Sequence, residues 1–354
     1  MKILILSRAY ANMAGGVEKM SIDLARGLKS RGHDVCIVSL DGTMSVPFYT
    51  MPKSITWIKM GIGDPSKKAN TRVRILRVLL LRRYCKQNRF DLGIGFQVGS
   101  FALLKFATIG LPFRVIAAER NSPTLYNYVK NGKRRKFINN VILLFASEIA
   151  VQFESFRKLY PRYLHRKIVI TPNYVKQSNS LRKFSDRDNF QILFIGRLSY
   201  QKNVKILISA LEILPKNFMV TIVGDGEDLI SLKLLAKKYP NRVFFLPPRR
   251  ELNSLYLKSD LFCLPSLWEG FPNVLVEALS FGLPVVGFRD CAGVKELITE
   301  NINGIIANGN NDVNSLADAI YRASLVKFSP RKIKSSVSKY SYKKFIDEWE
   351  KCLI

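Results

Sequence analysis
Short apolar runs alternate with helix-periodic stretches along the whole chain, and that alternation restricts the fold more than any single residue does. Residues 2–6 form the first run, 17–30 a helix with Val17, Met20, Leu24 and Leu28 on one face, and 35–40 a second run. Further strands are expected at 91–97, 113–118, 148–153 and 167–171, interleaved with helices at 71–88, 100–108 and 137–146. The series restarts at Phe190, with strands at 190–195, 219–223, 242–246 and 261–265 and helices at 203–214, 228–239 and 250–259. Segments 284–288, 294–298, 304–307 and 312–324 complete it. Runs that are apolar throughout belong to strands covered on both faces, and a strand–helix–strand order makes them parallel neighbours joined by right-handed crossovers. The expected class is α/β, with two doubly wound Rossmann-like sheets. The 354 residues accommodate two such domains. We place them at 1–172 and 190–330, joined by the polar hinge and linker 173–189. Residues 331–354 form a C-terminal helical segment in which Phe345, Trp349 and Cys352 share a side.

The second series contains the stretch that carries the chemistry. After the run 261–265 comes Ser266-Leu-Trp-Glu-Gly-Phe-Pro-Asn-Val-Leu-Val-Glu-Ala-Leu-Ser280, a turn followed by a helix beginning near Asn273. Glu269 lies in the turn and Glu277 one turn inside the helix, so the two carboxylates address different parts of a ligand. Between them are the backbone N–H groups of a helix start, which suit an anion because orphan donors and the dipole point the same way. Pro272 has no N–H, so the donors are Asn273, Val274 and their neighbours. On spacing alone, the same residues also describe an amphipathic helix with Glu277 as a solvated first-turn acid.

Two other places lie where open α/β sheets bind ligands, beyond the carboxyl ends of strands. Gly196-Arg197-Leu198 follows one strand, with Gln201-Lys202 close behind; Glu119-Arg120-Asn121 follows another. Gly15-Gly16 stands at the start of the first helix, without the GxGxxG spacing of a dinucleotide fingerprint. Histidine is represented only by His33 and His165, and His33 sits in a helix-to-strand turn that suits a structural role. The one DxD, Asp186-Arg187-Asp188, falls in the polar linker, which speaks against a metal site; Asp225, Glu227 and Asp228 flank a glycine turn, where acids are usually turn formers.

Glu269 to Glu277, with seven residues between them, resembles the E-x7-E motif of the retaining family 4 glycosyltransferases of GT-B fold, and related signposts run from Lys2 to about Leu325. Gly196-Arg197-Leu198 with Lys202 resembles that family's G-R-L-x3-K signature, with Asn203 where the family usually has Gly; Pro172-Asn173-Tyr174 resembles its hinge. The resemblance implies two domains facing across a cleft, with a nucleotide sugar, expected to be UDP-linked, in the second and an acceptor on the first. Glu269 would stand beside the donor sugar and Glu277 would hold the ribose. Asn273 and Val274 would meet the diphosphate, Arg197 and Lys202 would grip it as it leaves, and Gly15-Gly16 would reach it from the first domain. No metal or other cofactor is expected. Many members carry His where this chain has Glu119-Arg120-Asn121, a variant associated with bacterial enzymes acting on lipid-linked saccharides; these three become candidate acceptor or donor-sugar contacts. A phosphorylase or sugar-nucleotide epimerase of the same fold remains an alternative. The C-terminal helix of such folds often crosses back to the first domain.

The net charge of +29 narrows the partners. Up to Pro172 there are 30 Lys and Arg against 9 Asp and Glu, or +21; the remaining 26 against 18 give +8. A polyanionic partner, nucleic acid or an anionic membrane surface, suits the first half. No zinc-finger, helix-turn-helix or aromatic RNA signature is present, so the membrane is preferred. In the basic helix 71–88, Val73, Leu76, Leu80 and Tyr84 are expected to pack inward, with Arg72, Arg82, Arg83, Lys86 and Arg89 outward. Five cysteines without a CxxC pair fit a reducing cytoplasm. The four-residue apolar start, Ile3 to Leu6, is shorter than a signal-peptide core and is read as a strand. The expected location is the inner face of the cell membrane, held peripherally.

Overall fold
β1 (Lys2–Ser7) lies inside the first sheet, third of its seven strands, and its residues Ile3 to Leu6 are at most 1% exposed, as a strand covered on both faces requires. A computed structural model describes residues 1–11, 15–182, 188–309 and 311–353 and divides into two units, Met1–Asn173 with Lys343–Ile354, and Tyr174–Tyr342. The first continues through α1 (Gly16–Ser30), β2 (Asp34–Ser39), β3 (Thr56–Lys59), α2 (Thr71–Asn88), β4 (Leu92–Phe96), α3 (Gln97–Ala107), β5 (Arg114–Ala118), α4 (Gly132–Leu143), β6 (Glu148–Val151), α5 (Glu154–Arg157) and β7 (Ile168–Ile170). Its seven strands are parallel in the order β3-β2-β1-β4-β5-β6-β7. The order reverses direction at β1, so right-handed crossovers put α1 on one face and α2, α3 and α4 on the other.

The second unit runs β8 (Phe190–Ile195), α6 (Val204–Ala210), β9 (Phe218–Val223), α7 (Leu229–Ala236), β10 (Val243–Leu246), α8 (Asn253–Lys258), β11 (Leu261–Leu264), α9 (Asn273–Ser280), β12 (Val285–Phe288), α10 (Ala292–Lys295), β13 (Gly304–Ala307), α11 (Val313–Leu325) and α12 (Pro330–Ser336). Its six parallel strands lie in the order β10-β9-β8-β11-β12-β13, again reversing beside the first strand of the unit. Each sheet therefore has a topological switch point, the place where open α/β sheets take ligands.

The unit boundaries differ from those expected on composition. Residues from Tyr174 onward belong to the second unit, where Val175 N–H donates to Tyr340 O at 3.0 Å, so the front of the proposed linker is tied down. The segment 331–354 is divided: α12 stays with the second unit, while most of α13 (Tyr342–Lys351) belongs to the first. In the first unit Arg31 pairs with Asp347 at 2.5 Å and with Glu350 at 3.0 Å. Trp349, fully buried, stacks on Phe96 with ring centroids 6.2 Å apart, and the Arg120 guanidinium lies 5.2 Å from its ring.

Helix α2 has the expected span and a different orientation. Arg77, Leu81 and Cys85 are its buried residues, while Leu76 and Leu80, expected to face inward, are exposed. Arg77 Nη2 donates to Ile62 O at 2.8 Å, and Arg82 Nη1 donates to Ala107 O and Ile109 O at 3.1 and 2.7 Å. Two arginines that composition assigns to the surface thus satisfy backbone carbonyls, and their hydrogen bonds decide which way the helix faces.

Trp349→Ala removes the ring that fastens α13 into the first unit. It should cost about 3–5 kcal/mol, as for other large buried aromatics, in a urea titration of the full chain, with Trp349→Phe losing much less. An unchanged midpoint for the alanine variant would show that α13 contributes nothing to that unit.

Candidate active site
The Glu269 turn leaves the sheet from a strand with no exposed residue. β11 is followed by Pro265 and Ser266, both buried; the chain turns through Trp268, Glu269 and Gly270, and Pro272 precedes α9. Leu275, Val276, Ala278 and Leu279 bury one side of α9. The N–H groups of Leu275 and Val276 return to Pro272 O, at 3.0 and 3.3 Å. Asn273 and Val274, both half-buried, are the first two residues of the helix.

The two carboxylates are held differently. Glu269 is 6% exposed, and its Oε1 accepts from Lys202 Nζ at 2.6 Å and from Ser266 Oγ at 2.7 Å. Glu277 Oε2 accepts from Tyr256 OH at 3.1 Å. Burial and that carboxylate together drive the Tyr256 hydroxyl's pKa well above its ordinary value, so Tyr256 acts as a fixed donor that orients Glu277.

Glycine backbone brings the basic arm to the same sheet edge. Gly224, at φ +152°, lies so close to the Gly196 turn that a Cβ would stand 1.9 Å from Gly196 O; on Gly226 it would stand 2.2 Å from Leu198 O. Only glycine allows these two strand-end turns to touch. Leu198 N–H donates to Asp225 O at 2.8 Å, and Leu267 N–H to Gln201 O at 2.9 Å, so the segment after β8 is tied both to the β9 turn and to the Glu269 turn. Arg197 is exposed and pairs with no described residue. Lys202, with three donors and one on Glu269, keeps capacity for an anion. Asn203 adopts φ +53° at the start of α6, and its amide reaches Asn311 Oδ1 instead of capping. Its use is therefore the left-handed backbone that Asn tolerates and Gly adopts freely.

Gly293 was not legible in the sequence. A Cβ there would lie 2.3 Å from Gly270 O and 2.6 Å from Glu269 O, so the Glu269–Gly270 peptide rests directly on α10. Ser266 and Tyr256 also escaped, because a serine and a tyrosine in apolar surroundings carry no motif of their own. Among the described residues no group of three His, Cys, Asp or Glu side chains could hold a metal ion. Asp186 and Arg187 of the DxD lie outside the described residues.

The remaining candidates belong to the first unit. Gly15 precedes α1 in an extended conformation, and a Cβ on it would stand 2.0 Å from Glu18 Oε2; the buried Glu18 carboxylate thus covers Gly15, while Gly16 opens the helix. Glu119 follows β5, and its N–H donates to Ala150 O at 2.9 Å. Burial raises its carboxyl pKa to about 7, against the opposing Arg120 charge and the Val98 N–H. Its Oε1 and both amide atoms of the buried Gln152 find no partner among the described residues. Arg120 is turned into the unit. It is 5% exposed, and it donates to Thr171 O, Thr171 Oγ1 and Ala150 O at 2.7–3.0 Å while covering Trp349. Asn121 is half-buried beside it.

Residues 176–343 match the family described as glycosyl transferases group 1, a span that begins and ends within a residue or two of the second unit. The chain carries a glycosyl transferases group 1 domain. This glycosyltransferase is 28% identical over 348 residues to an uncharacterized glycosyltransferase of Haemophilus influenzae, covering 95% of this chain and 96% of that one. It is 28% identical over 309 residues, 85% of its length and 83% of the relative's, to the GalNAc-alpha-(1->4)-GalNAc-alpha-(1->3)-diNAcBac-PP-undecaprenol alpha-1,4-N-acetyl-D-galactosaminyltransferase of Campylobacter jejuni. Its fold is that of Anabaena HepE solved with UDP and glucose, with a TM-score of 0.80 at 18% identity, covering 100% and 99% of the two chains. The architecture of this glycosyltransferase is GT-B, two doubly wound α/β units.

Glu119 supplies a pH signature. Its carboxyl is held near 7 when folded and titrates near 4.5 when unfolded, so the unfolded chain loses the proton first. Stability falls as pH rises from about 4.5 through about 7 and levels off above, because a charge must then be kept in an apolar site. Glu119→Gln removes that charge, and its melting temperature relative to the parent should rise between pH 5 and pH 8. A difference that is flat over this range would show that the carboxyl is not held neutral.

Proposed function
We propose that the protein is a retaining hexosyltransferase that moves a sugar from a UDP-linked donor to a lipid-linked saccharide, without a divalent cation, while bound peripherally at the inner face of a membrane. The observation that carries this reading is the Lys202–Glu269–Ser266 cluster at the turn before α9, whose first turn carries Glu277 held by Tyr256, with the exposed Arg197 on the same segment as Lys202. The C. jejuni relative is named for an undecaprenyl-diphosphate-linked acceptor, and HepE was solved with UDP, which supports the acceptor and donor classes. Five free, buried cysteines suit a reducing compartment.

The chemistry follows from where charge develops. As the bond from the anomeric carbon to the diphosphate oxygen lengthens, negative charge grows on the leaving UDP and positive charge on the sugar ring. Arg197, Lys202 and the N–H groups of Asn273 and Val274 would take up the first, in the place where other transferases use a metal. Glu269 would lie against the sugar and Glu277 would receive the ribose hydroxyls on its oxygen opposite Tyr256. The acceptor hydroxyl attacks from the face the diphosphate is leaving, forming the new C–O bond as its proton passes to the departing phosphate oxygen. Configuration is thereby retained and no second carboxylate is needed as a nucleophile.

Two measurements test the two halves of this site. Glu277→Gln should weaken UDP binding in calorimetry by about 1.5–3 kcal/mol, the range for hydrogen bonds to a charged group; unchanged affinity removes the ribose assignment. Arg197→Ala should lower kcat by on the order of 10²–10³ in buffer containing EDTA, as loss of one preorganised donor does. A rise in KM alone, or parent activity abolished by EDTA and restored by Mg²⁺ or Mn²⁺, would overturn the charge assignment.

A further inference from the structure
Helices α2 and α4 are packed with large apolar side chains turned to solvent. On α4 the buried residues are Gly132, Asn140 and Leu143, while Phe137 and Ile138 are 67% and 44% exposed, and Val141 is exposed one turn on. Leu144 and Phe145 prolong the same side beyond the helix end, Phe145 at 61%. The helix is inverted relative to an ordinary surface helix: an asparagine points inward and a phenylalanine outward. Polar anchors hold it so. Asn139 Nδ2 bonds Tyr126 OH, and Lys167 Nζ donates to Leu144 O and Ala146 O at 2.6 and 2.8 Å. On α2, Ile75, Leu76, Leu79 and Leu80 are 45–56% exposed, held outward by the inward bonds of Arg77. Phe106 and Ile109, at and just past the end of α3, are each 57% exposed, and Arg82 of α2 binds Ile109 O. The three helices follow one another across one face of the first sheet, so these side chains share a surface.

The charge on that surface has one sign. The sequences of α2, α3 and α4 contain eleven Lys and Arg and no Asp or Glu. Exposed Arg72, Arg83 and Lys86 interleave with the apolar residues of α2, and Lys133, Arg134 and Arg135 stand at the first turn of α4. On the opposite face, α1 carries three basic residues and two acidic ones.

We propose that the outward faces of α2, α3 and α4 form a membrane-insertion surface, with Phe137, Val141 and Phe145 entering the acyl boundary of an anionic leaflet and the basic residues meeting its headgroups. This rests on the peripheral-membrane reading and specifies its mode: the surface anchors by apolar insertion as well as by charge. An apolar face alone would suit many occupants, and the uniform charge selects among them. A second copy of the chain would bring the same basic face against itself and be repelled, whereas anionic lipid satisfies both features at once. Among the described residues no helix is long and apolar enough to cross the bilayer, so this is an in-plane contact.

The test is co-sedimentation of the full chain with vesicles of phosphatidylcholine containing 30% phosphatidylglycerol, or none, in low salt and in 1 M NaCl, where the Debye length shrinks to about 3 Å. Wild type should bind the anionic vesicles in low salt and keep a measurable fraction in 1 M NaCl, since an inserted ring is not screened. Phe137→Ser with Phe145→Ser should lose at least tenfold in partition in low salt and all binding in high salt; Arg83→Ser with Lys86→Ser should lose binding mainly in low salt. Equal binding of the phenylalanine variant and the parent would overturn the proposal. So would a lipid-free dimer, in sedimentation equilibrium, that the phenylalanine variant dissociates, or salt-sensitive binding to single-stranded DNA with none to vesicles. UDP calorimetry separates this from the transferase reading. The phenylalanine variant should bind UDP as the parent does; a parent that inserts into vesicles but binds no UDP leaves the surface standing and removes the donor assignment.

Discussion
An ion pair largely withdrawn from water, Lys202 to Glu269, sets the geometry of the candidate site. Each charge taken from water costs several kcal/mol, and their attraction offsets this only with good geometry and further hydrogen bonds. Here the pair is 2.6 Å apart, and Ser266 adds a second donor to the same carboxylate oxygen. An apolar pair of similar volume would serve stability as well or better, so the arrangement is better explained by what the charges do. Lys202 is fixed on the segment that also carries the exposed Arg197, and Glu269 is fixed at the turn before α9. Under the proposed function, a leaving diphosphate would meet cations that need no reorganisation.

The cluster stays in register because backbone, not side chains, brackets it. The β8 and β9 strand ends are drawn together by turns in which Gly224 and Gly226 leave no room for a Cβ, and the Glu269 turn after β11 is seated on α10 at Gly293. The E-x7-E and G-R-L-x3-K spacings are thus two strands of one sheet, each delivering its residues at its carboxyl end and tied to the other through Gln201, which bonds Leu267 N–H and Trp268 O. A motif in sequence becomes a site in space because the sheet is parallel and every strand ends on the same edge.

The parallel fold was legible because its strands are buried on both faces and are written as unbroken apolar runs. β3, with the sequence Thr-Trp-Ile-Lys at the sheet edge, was not, since a short, half-exposed strand has no such run. In the candidate site, Glu269, Glu277, Arg197 and Lys202 are picked out by their resemblance to family motifs, whereas Ser266, Tyr256 and Gly293 are not. The role of each of those depends on a partner distant in sequence. Arg120 shows the limit from the other side. Its place after a strand marks it as a candidate ligand contact, and in the structure its guanidinium bonds Ala150 O in β6 and Thr171 just past β7.

Helices α2 and α4 show why hydrophobic pattern alone misplaces a helix. Both mix apolar and basic residues around the axis, so several faces could be buried, and periodicity favours the one with most leucines. What decides is polar accounting. Arg77 and Arg82 satisfy loop and helix-end carbonyls that would otherwise be unpaired, and Asn139 satisfies Tyr126. Leaving such groups unmade costs about as much as burying a leucine gains, so bonds of known geometry can turn apolar side chains outward when something other than water covers them in use. The same accounting explains the charge of +21 up to Pro172. Eleven of the Lys and Arg that make it lie on α2, α3 and α4 with no Asp or Glu among them, while α1 is nearly balanced. A one-signed field interleaved with exposed phenylalanine and leucine matches a surface that is both anionic and apolar a few ångströms deeper, which is the description of a lipid leaflet.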